Sequence, residues 1–382
     1  MSDFYKEISV NPFIMSLDSI PVINYDRFCD QTVQLMKAES VHCAAYYAVE
    51  INGGLRLFCC LANDIDHSFR VYSAELPRDR RPVLSLSKEI PQLHMYEREI
   101  HENYGVVFEG HPWLKPVRYP YDRADKSSVM ANYPFYNIEG EELHEVGVGP
   151  VHAGVIEPGH FRFICNGEKV LHLEIQLGYQ HRGVERMLAG DLNGLRRCVL
   201  CDNIVGDTSV GYAISHAQLV ESLAGIRVQR SVQIERCIAL ELERIAVHIG
   251  DTAALCGDVA YQLGQVVCEA LRTEIINTTQ FWCGSRFGKG LVRPGGTNYK
   301  MDRKVSERIL KVLDNVGKRF ATISDRIYTL QSVVARFEDI GRVTRRQALD
   351  IGAVGMAART CGLRRDIRWS HPFQYYGERS FE

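Results

Sequence analysis

Titratable side chains are concentrated in one stretch of the sequence, residues 149–187 (GPVHAGVIEPGHFRFICNGEKVLHLEIQLGYQHRGVERM). Glu157 lies in this stretch directly before Pro158-Gly159, a dipeptide typical of turns. A carboxylate that a turn holds in a water-poor cleft has a raised pKa and can pass protons. The same stretch contains His152, His181, Arg182 and Glu185. The residues alone leave two interpretations open, a proton-transfer site or a turn glutamate in solvent.

Cys198 and Cys201 form the only Cys-x-x-Cys pair among the twelve cysteines. Two thiolates at this spacing can bind one metal ion or act as a redox pair, whereas structural zinc and most iron–sulfur sites need four ligands. The alternative is two half-buried cysteines of a helix. Neither Gly147-Val-Gly149-Pro150 nor the segment 284–290 has the spacing and context of a nucleotide-binding loop, so no nucleotide site is predicted.

The overall composition limits the partners and the location. Lys and Arg number 45 and Asp and Glu number 47, so the formal net charge is −2. Such a chain has no electrostatic footprint for nucleic acid, and no nucleic-acid partner is predicted. Acids stand where a signal peptide would be basic, and no apolar run approaches the roughly 20 residues that span a bilayer. We therefore predict a reducing, cytoplasmic location without a transmembrane segment.

Periodicity and turn residues predict the elements that must position the candidate site. In the N-terminal third, we predict a helix over Tyr25–Ala38 and a second helix over Leu93–Tyr104, which Gly105 ends. Between them we predict a hairpin with strands over Cys43–Ile51 and Leu55–Ala62, which turns at Asn52-Gly53-Gly54. A further strand is predicted over Phe69–Ala74. A second hairpin is predicted within Phe161–Gly178, about Asn166-Gly167. Beyond it, helices are predicted within Val228–His248, Ala260–Trp282 and Met301–Ile340.

These elements predict an α+β fold class with two domains. Residues 1–120 form a small α+β domain, and residues 121–148 form an extended linker with a polar DRADKSS stretch. Residues 149–382 form a mainly helical bundle domain that the chain enters through a β-hairpin.

Several motifs resemble one enzyme family. The stretches GPVHAGVIEPGHFRF (149–163) and LGYQHRGVERML (177–188) resemble the large subunit of membrane-bound nickel–iron hydrogenases of the formate hydrogenlyase and hydrogenase-4 type. LELERIAVH (240–248), RPGGTNY (293–299) and the segment from Gly352 to Pro372 fit this family and the homologous 49-kDa subunit of respiratory complex I. The motif from Glu97 to Pro112 resembles the 30-kDa subunit of complex I. The resemblance implies that these two polypeptides of complex I, an NADH-quinone oxidoreductase, are fused here.

The resemblance also implies where nickel would bind. In these hydrogenases two Cys-x-x-Cys pairs hold nickel, and the positions that match the first pair are Val205 and Thr208. Neither side chain can supply a thiolate, and Cys198 and Cys201 lie seven residues too early. The second pair of the family lies beyond the stretch that matches here, and this sequence ends at Glu382 without it. We therefore expect no nickel–iron cofactor, and no other cofactor, in this chain.

The function that the resemblance implies is that of a large subunit of a membrane-associated oxidoreductase, peripheral on the cytoplasmic face of the inner membrane. An iron–sulfur small subunit would supply electrons, and integral membrane subunits would be further partners. Glu157 would transfer protons, with His152, His181, Arg182 and Glu185 along the route. Two alternatives stay open, a quinone or other acceptor reductase of the complex I type and a non-catalytic subunit that serves assembly.

Overall fold

The computed structural model describes residues 4–76, 81–153 and 156–378. It shows a mixed α and β protein with an N-terminal sheet and a helical C-terminal region, which confirms the predicted fold class. The chain forms two compact units that do not follow chain order. The first contains Met15–Gly183 and Val343–His371, together with the start of the chain. The second contains Val184–Arg342, with Asn11–Ile14 and the residues after His371.

The strands lie mostly in the first unit. They are β1 (Lys6–Ile8), β2 (Val22–Ile23), β3 (Val41–Ile51), β4 (Gly54–Asn63), β5 (Ser68–Glu75), β6 (Val83–Leu84), β7 (Phe108–Glu109), β8 (Leu143–Val148), β9 (His160–Asn166) and β10 (Lys169–Gln176), followed in the second unit by β11 (Val292–Arg293) and β12 (Gly296–Thr297). The main sheet has the order β1-β5-β4-β3, with β2 parallel to β5 and the other pairs antiparallel. Strands β10, β9 and β8 form a separate antiparallel sheet.

Helices dominate the second unit. In chain order they are α1 (Tyr25–Leu35), α2 (His94–Tyr104), α3 (Val184–Ala189), α4 (Gly194–Cys201), α5 (Ser209–Ala224), α6 (Arg230–Asp258), α7 (Gln262–Cys283), α8 (Arg303–Thr329), α9 (Gln331–Phe337), α10 (Arg345–Asp350), α11 (Gly355–Thr360) and α12 (Ile367–Ser370). Helices α1, α2 and α10 to α12 belong to the first unit, and the others belong to the second.

Local turn and cap chemistry explains why the predicted N-terminal elements form. Asn52 and Gly53 both have positive φ, as a two-residue hairpin turn of the primed type requires, and they join β3 to β4. The Asn24 side chain accepts a hydrogen bond from the backbone N–H of Arg27 and so caps α1. Gly105 ends α2 in the left-handed conformation. These predicted elements are confirmed, with ends that differ by a few residues.

The second sheet differs in one respect from what the sequence predicts. The hairpin of β9 and β10 turns at Asn166-Gly167, as predicted. Strand β8 was not predicted, because the sequence analysis assigns its residues to the extended linker. Its partner β9 follows eleven residues later, after a loop from Gly149 to Gly159. The loop that carries Glu157 therefore joins two paired strands.

Helices α6, α7 and α8 build the core of the second unit, where α7 packs against both of the others. Leu271 and Ile275 of α7 are fully buried in it. One face of α8 is apolar at helical spacing and carries the buried residues Val305, Ile309, Val316, Ile323 and Ile327. The three predicted helical stretches are confirmed, and the longest of them is divided into α8 and α9 at Leu330.

A fully buried arginine ties this helical core to the loop that contains β11 and β12. The guanidinium of Arg236 on α6 donates to both carboxylate oxygens of Glu221 on α5, over 3.0 and 2.6 Å. It also donates to the carbonyl oxygens of Arg293 and Gly296. Glu221 in turn accepts from the backbone N–H of Gly295 over 2.7 Å. A bidentate pair of this kind satisfies a charge that burial would otherwise make costly.

Removing one partner of this pair should destabilise the second unit strongly. We expect Glu221→Ala to lower the free energy of unfolding by about 3–5 kcal/mol, because it leaves the Arg236 charge buried and unpaired. The double variant Glu221→Leu with Arg236→Met removes both charges and should lose less than the single variant. Urea unfolding measures both, with Arg303→Ala, which breaks an exposed pair with Glu307, as control. A double variant less stable than Glu221→Ala would contradict this account.

Candidate functional site

The loop between β8 and β9 carries Glu157 and is closed by its own histidines. The ring nitrogen Nε2 of His152 lies 2.8 Å from the carbonyl oxygen of Gly159. Since a carbonyl only accepts, Nε2 must carry the proton in this contact. His160 Nδ1 makes a longer contact, 3.3 Å, with the carbonyl oxygen of Gly149. These two contacts join the start of the loop to its end. Residues 154 and 155 lie outside the described part.

Glycine at position 149 is required for this closure. Gly149 has a φ of +90°, which is unfavourable for residues with a side chain. A Cβ atom there would lie 2.0 Å from the carbonyl oxygen of Gly159 and 2.7 Å from His152 Nε2. The small residue therefore allows the two ends of the loop to approach and lets His152 reach across. In this chain His152 closes the loop, and its predicted position along a proton route stays a prediction.

The structure places Glu157 on the surface of the chain, where its side chain is exposed. His181 and Arg182 lie together in the turn after β10, with the backbone N–H of His181 donating to the carbonyl of Gly178. Glu185 lies in the first turn of α3 and belongs to the second unit. The structure thus brings His152 and Glu157 into one loop and His181 and Arg182 into one turn. Whether all five candidates act together stays a prediction.

The two positions that the sequence analysis predicts to match the nickel ligands of the hydrogenases lie between α4 and α5. Val205 has a hydrocarbon side chain and Thr208 a hydroxyl, so neither fits a site built from thiolates. Cys198 and Cys201 are both buried on α4. Burial raises the pKa of both thiols, which opposes the thiolate form that a metal needs. Within the part of the chain that the structure describes, no three His, Cys, Asp or Glu residues are grouped so as to hold a metal ion.

A half-buried carboxylate next to these positions was missed by the sequence analysis. Glu243 on α6 accepts hydrogen bonds from the backbone N–H groups of Val210 and Gly211, at 2.6 and 3.0 Å. These donors lie in the first turn of α5, where N–H groups have no partner within the helix. Burial raises the pKa of Glu243 to about 7, although the two N–H donors oppose the rise. The available signal was an acid within the amphipathic motif LELERIAVH.

An exposed apolar face lies on the same small sheet as the Glu157 loop. The strand register aligns Val146, Phe163 and Leu173 in one row, and Val148, Phe161 and Ile175 in the next. Paired residues and those two positions apart share a face. The four aliphatic members of the two rows are exposed in the described chain.

The opposite face of this sheet is covered by the segment before β8. Glu174 of β10 is buried there and accepts hydrogen bonds from Lys115 Nζ and from the backbone N–H of Tyr136, at 2.5 and 2.8 Å. The guanidinium of Arg162 lies over the ring of Phe135. Phe135 and Tyr136, which the sequence analysis assigns to a linker, are therefore packed on the polar side of the sheet. Its apolar side is the one left exposed.

Two family models match separate parts of the sequence. Residues 24–134 match the model described as the 30 Kd subunit of the respiratory-chain NADH dehydrogenase. Residues 258–382 match the model described as its 49 Kd subunit. In the described part of the chain, no helix has both the length and the apolar character needed to cross a membrane.

Proteins similar to this chain include both hydrogenase and NADH-quinone oxidoreductase polypeptides. Formate hydrogenlyase subunit 5 of Escherichia coli (strain K12) is 24% identical over 88% of this chain and 60% of its own length. The carbon monoxide-induced hydrogenase of Rhodospirillum rubrum is 31% identical over 63% of this chain and 66% of its own length. A C/D-type NADH-quinone oxidoreductase polypeptide of Gluconacetobacter diazotrophicus is 25% identical over 80% of this chain and 56% of its own length. The chain thus spans about three fifths of the length of the relatives it matches.

The half-buried carboxylate of Glu243 gives a testable pH dependence. A carboxyl whose pKa is raised on folding favours the folded state only while it is protonated, so stability falls as pH rises from its unfolded value near 4.5 towards 7. Glu243→Gln cannot ionise. We expect the unfolding free energy of the wild type, relative to this variant, to fall by about 2–3 kcal/mol between pH 5 and pH 8.

Urea unfolding at a series of pH values measures this difference. The exposed Glu269 of α7 offers a matched control, because Glu269→Gln removes a carboxylate that solvent already surrounds. Its unfolding curve should follow that of the wild type at every pH. A Glu243→Gln curve parallel to the wild-type curve would show that Glu243 does not titrate in this range.

Proposed function

We propose that this chain is the large subunit of a membrane-associated oxidoreductase. It belongs to the family that unites the 30-kDa and 49-kDa subunits of respiratory-chain NADH dehydrogenase with membrane-bound hydrogenases. The observation that carries the proposal is the match to both subunit models within one polypeptide, in the order 30-kDa then 49-kDa. The chain would be peripheral on the cytoplasmic face of the membrane. Its partners would be an iron–sulfur small subunit and integral membrane subunits.

In this proposal the chain moves protons and a partner supplies electrons. The iron–sulfur cluster would belong to the small subunit and provide one-electron transfer. Glu157 would take up and release the proton that accompanies each electron. The loop supports such a role because His152 and His160 fasten both of its ends, while the Glu157 side chain is exposed. His181, Arg182 and Glu185 would line the continuing route.

Exposure of Glu157 makes the proposed chemistry depend on assembly. A carboxylate in bulk water is ionised at neutral pH and exchanges its proton freely. If a partner protein covers the loop, water is removed and the protonated form becomes more favourable. The carboxyl could then hold a proton and pass it on. The exposed apolar face of the adjoining sheet supports this view, since a contiguous apolar surface is typical of a protein–protein contact.

We propose further that this chain works without a nickel site formed by its Val205 and Thr208 positions. Both positions lack the thiolates that the hydrogenase site needs. Cys198 and Cys201 are an unsuitable replacement, because both are buried thiols with raised pKa values. The chain would therefore couple proton and electron transfer to an acceptor bound in a partner subunit.

Glu157→Gln tests the proton-transfer role directly, because it keeps the shape of the side chain and removes the titrating proton. We expect turnover of the native complex to fall by about 10²–10⁴-fold, with assembly and reduction of the partner's clusters unchanged. Hydrogen evolution from a reduced viologen and reduction of a short-chain quinone measure turnover. Electron paramagnetic resonance measures cluster reduction. The exposed Glu168, on the turn between β9 and β10, offers the control Glu168→Gln.

Two other results would change the proposal. Unchanged turnover in Glu157→Gln would remove this residue from the mechanism. If the chain co-purifies with its partners but the complex shows neither activity even in the wild type, a non-catalytic assembly role would replace the catalytic one.

The absence of a nickel site at Val205 and Thr208 predicts the metal content of the complex. We expect elemental analysis of the complex, purified natively from membranes, to find iron from the partner subunit and no stoichiometric nickel. About one nickel per large subunit would contradict the assignment of these positions. In that event Cys198→Ser and Cys201→Ser would show whether the α4 thiols are ligands, by loss of the metal.

A further inference from the structure

We propose that residues Val343–His371 form a docking segment, here called the clasp, which binds the main sheet of the first unit through an Asp64–Arg365 pair and opens as one element. The clasp contains α10, α11 and α12 and lies within the 49-kDa-type match. Strands β3, β4 and β5 of the sheet that it binds lie within the 30-kDa-type match. The clasp would therefore be an interaction surface that joins the two family regions. This inference does not depend on the proposed function.

The clasp rejoins the first unit after a long excursion of the chain. The polypeptide leaves this unit at Gly183 and returns at Val343, after the whole helical stretch of the second unit. The clasp also has a small core of its own, formed by Ala348, Ala358 and Leu363. The clasp thus has its own core and lies far in sequence from the surface that it contacts. These are the features of a unit that can bind and open cooperatively.

Asp64, at the end of the hairpin strand β4, is the anchor for the clasp. Its carboxylate is 5% exposed, and Oδ2 lies 3.3 Å from the Nε atom of Arg365 and 3.3 Å from His42 Nδ1. Burial alone would raise the pKa of Asp64, but the neighbouring imidazole of His42 and the charge of Arg365 lower it below its usual value. The carboxylate is thus held in the charged form that a buried guanidinium requires.

Arg365 is the matching group of the clasp and is equally buried. Besides Asp64, it donates to the carbonyl oxygen of Ala353 within the clasp and to that of Glu39 before β3, at 3.0 and 3.4 Å. A second pair, between Arg345 and the Glu39 side chain, lies at the exposed edge. Charge complementarity is therefore consistent across the contact, with cations on the clasp and carboxylates on the sheet side.

Ring and backbone contacts surround the charged pair. His67 Nδ1 lies 2.8 Å from the carbonyl oxygen of Ser370, and its ring meets Trp369 edge to face. The ring of His371 lies 4.4 Å from that of Phe69, centre to centre. These contacts involve the end of the clasp and the start of β5. They fix its orientation on the sheet, whereas the Asp64–Arg365 pair supplies the anchor.

Gly352 of the clasp, between α10 and α11, lies close to Gln92 of the first unit. Gly352 has a φ of +69°, and a Cβ atom there would lie 2.9 Å from the Cβ of Gln92. Gln92 in turn accepts from the backbone N–H of Cys43 on β3 over 3.3 Å. The glycine thus permits a contact that a larger residue would prevent. The clasp therefore meets the sheet region around Gln92, around Asp64 and around Phe69.

Hydrogen–deuterium exchange on the full-length chain tests the inference. Asp64→Asn and Arg365→Gln each leave one buried polar group without its charged partner. We expect exchange to become at least about tenfold faster in residues 344–371 and in the facing residues 64–69. Exchange in α6, α7 and α8 should not change. In the double variant Asp64→Asn with Arg365→Gln, exchange should be no faster than in the more affected single variant, because the two residues act through one contact.

Asp350→Asn is the matched control, since it breaks an exposed pair with Arg346 inside α10 and should leave exchange at the wild-type level. Arg365→Lys keeps the charge but loses the guanidinium geometry, so an intermediate increase is expected even if Arg365→Gln folds poorly. Unchanged exchange in the clasp of both single variants would overturn the inference. So would an equal increase in α6 to α8, because the clasp would then not open as a separate element.

Discussion

A guanidinium enclosed within the helical unit is the constraint on which that unit depends. Arg236 is fully buried, and an arginine cannot lose its charge at accessible pH. The fold must therefore supply its acceptors, and it does so from α5 through Glu221 and from the β11–β12 loop through the carbonyls of Arg293 and Gly296. The Arg293 side chain of the same loop also forms an ion pair with Asp202, just after α4. Arg236 thus connects α5 and α6 to the loop, and the Arg293–Asp202 pair connects the loop to the end of α4.

In the first unit, too, neighbouring residues supply the hydrogen-bond partners of buried charged side chains. Glu97 of α2 is fully buried and accepts from the hydroxyls of Ser85 and Ser87 and from the N–H of Leu86. Its neighbour Arg98 donates to the carbonyl oxygens of Lys115 and Pro116. Both belong to the motif on which the resemblance to the 30-kDa subunit rests. In this chain, that motif therefore identifies a polar framework of the fold, and it carries no direct information about chemistry.

Sequence reasoning succeeded where structure is local and failed where it is not. The turn at Asn52-Gly53 and the end of α2 at Gly105 follow from the conformations that these residues favour, so they could be predicted. Strand β8 has no such signal, because its pairing with β9 is needed to define it. Arg236 and Glu243 were missed because hydrophobic patterns assign charged residues to the solvent face. The burial of Arg236 and the partial burial of Glu243 depend on acceptors and donors from other elements, which no local window contains.

In the candidate site, one feature could be predicted from the sequence and another could not. The sequence predicts a turn at Glu157, and the structure shows the loop closed by histidines with the carboxylate exposed. The row of Val148, Phe161 and Ile175 is the one nearest this loop on the apolar face of its sheet. A surface that covers this row therefore also comes close to the Glu157 loop. Burial of the apolar side chains would favour association, and the same event would remove water from the carboxylate. In the proposed function, binding of a partner and the capacity of Glu157 to hold a proton would therefore be coupled, since one contact would produce both.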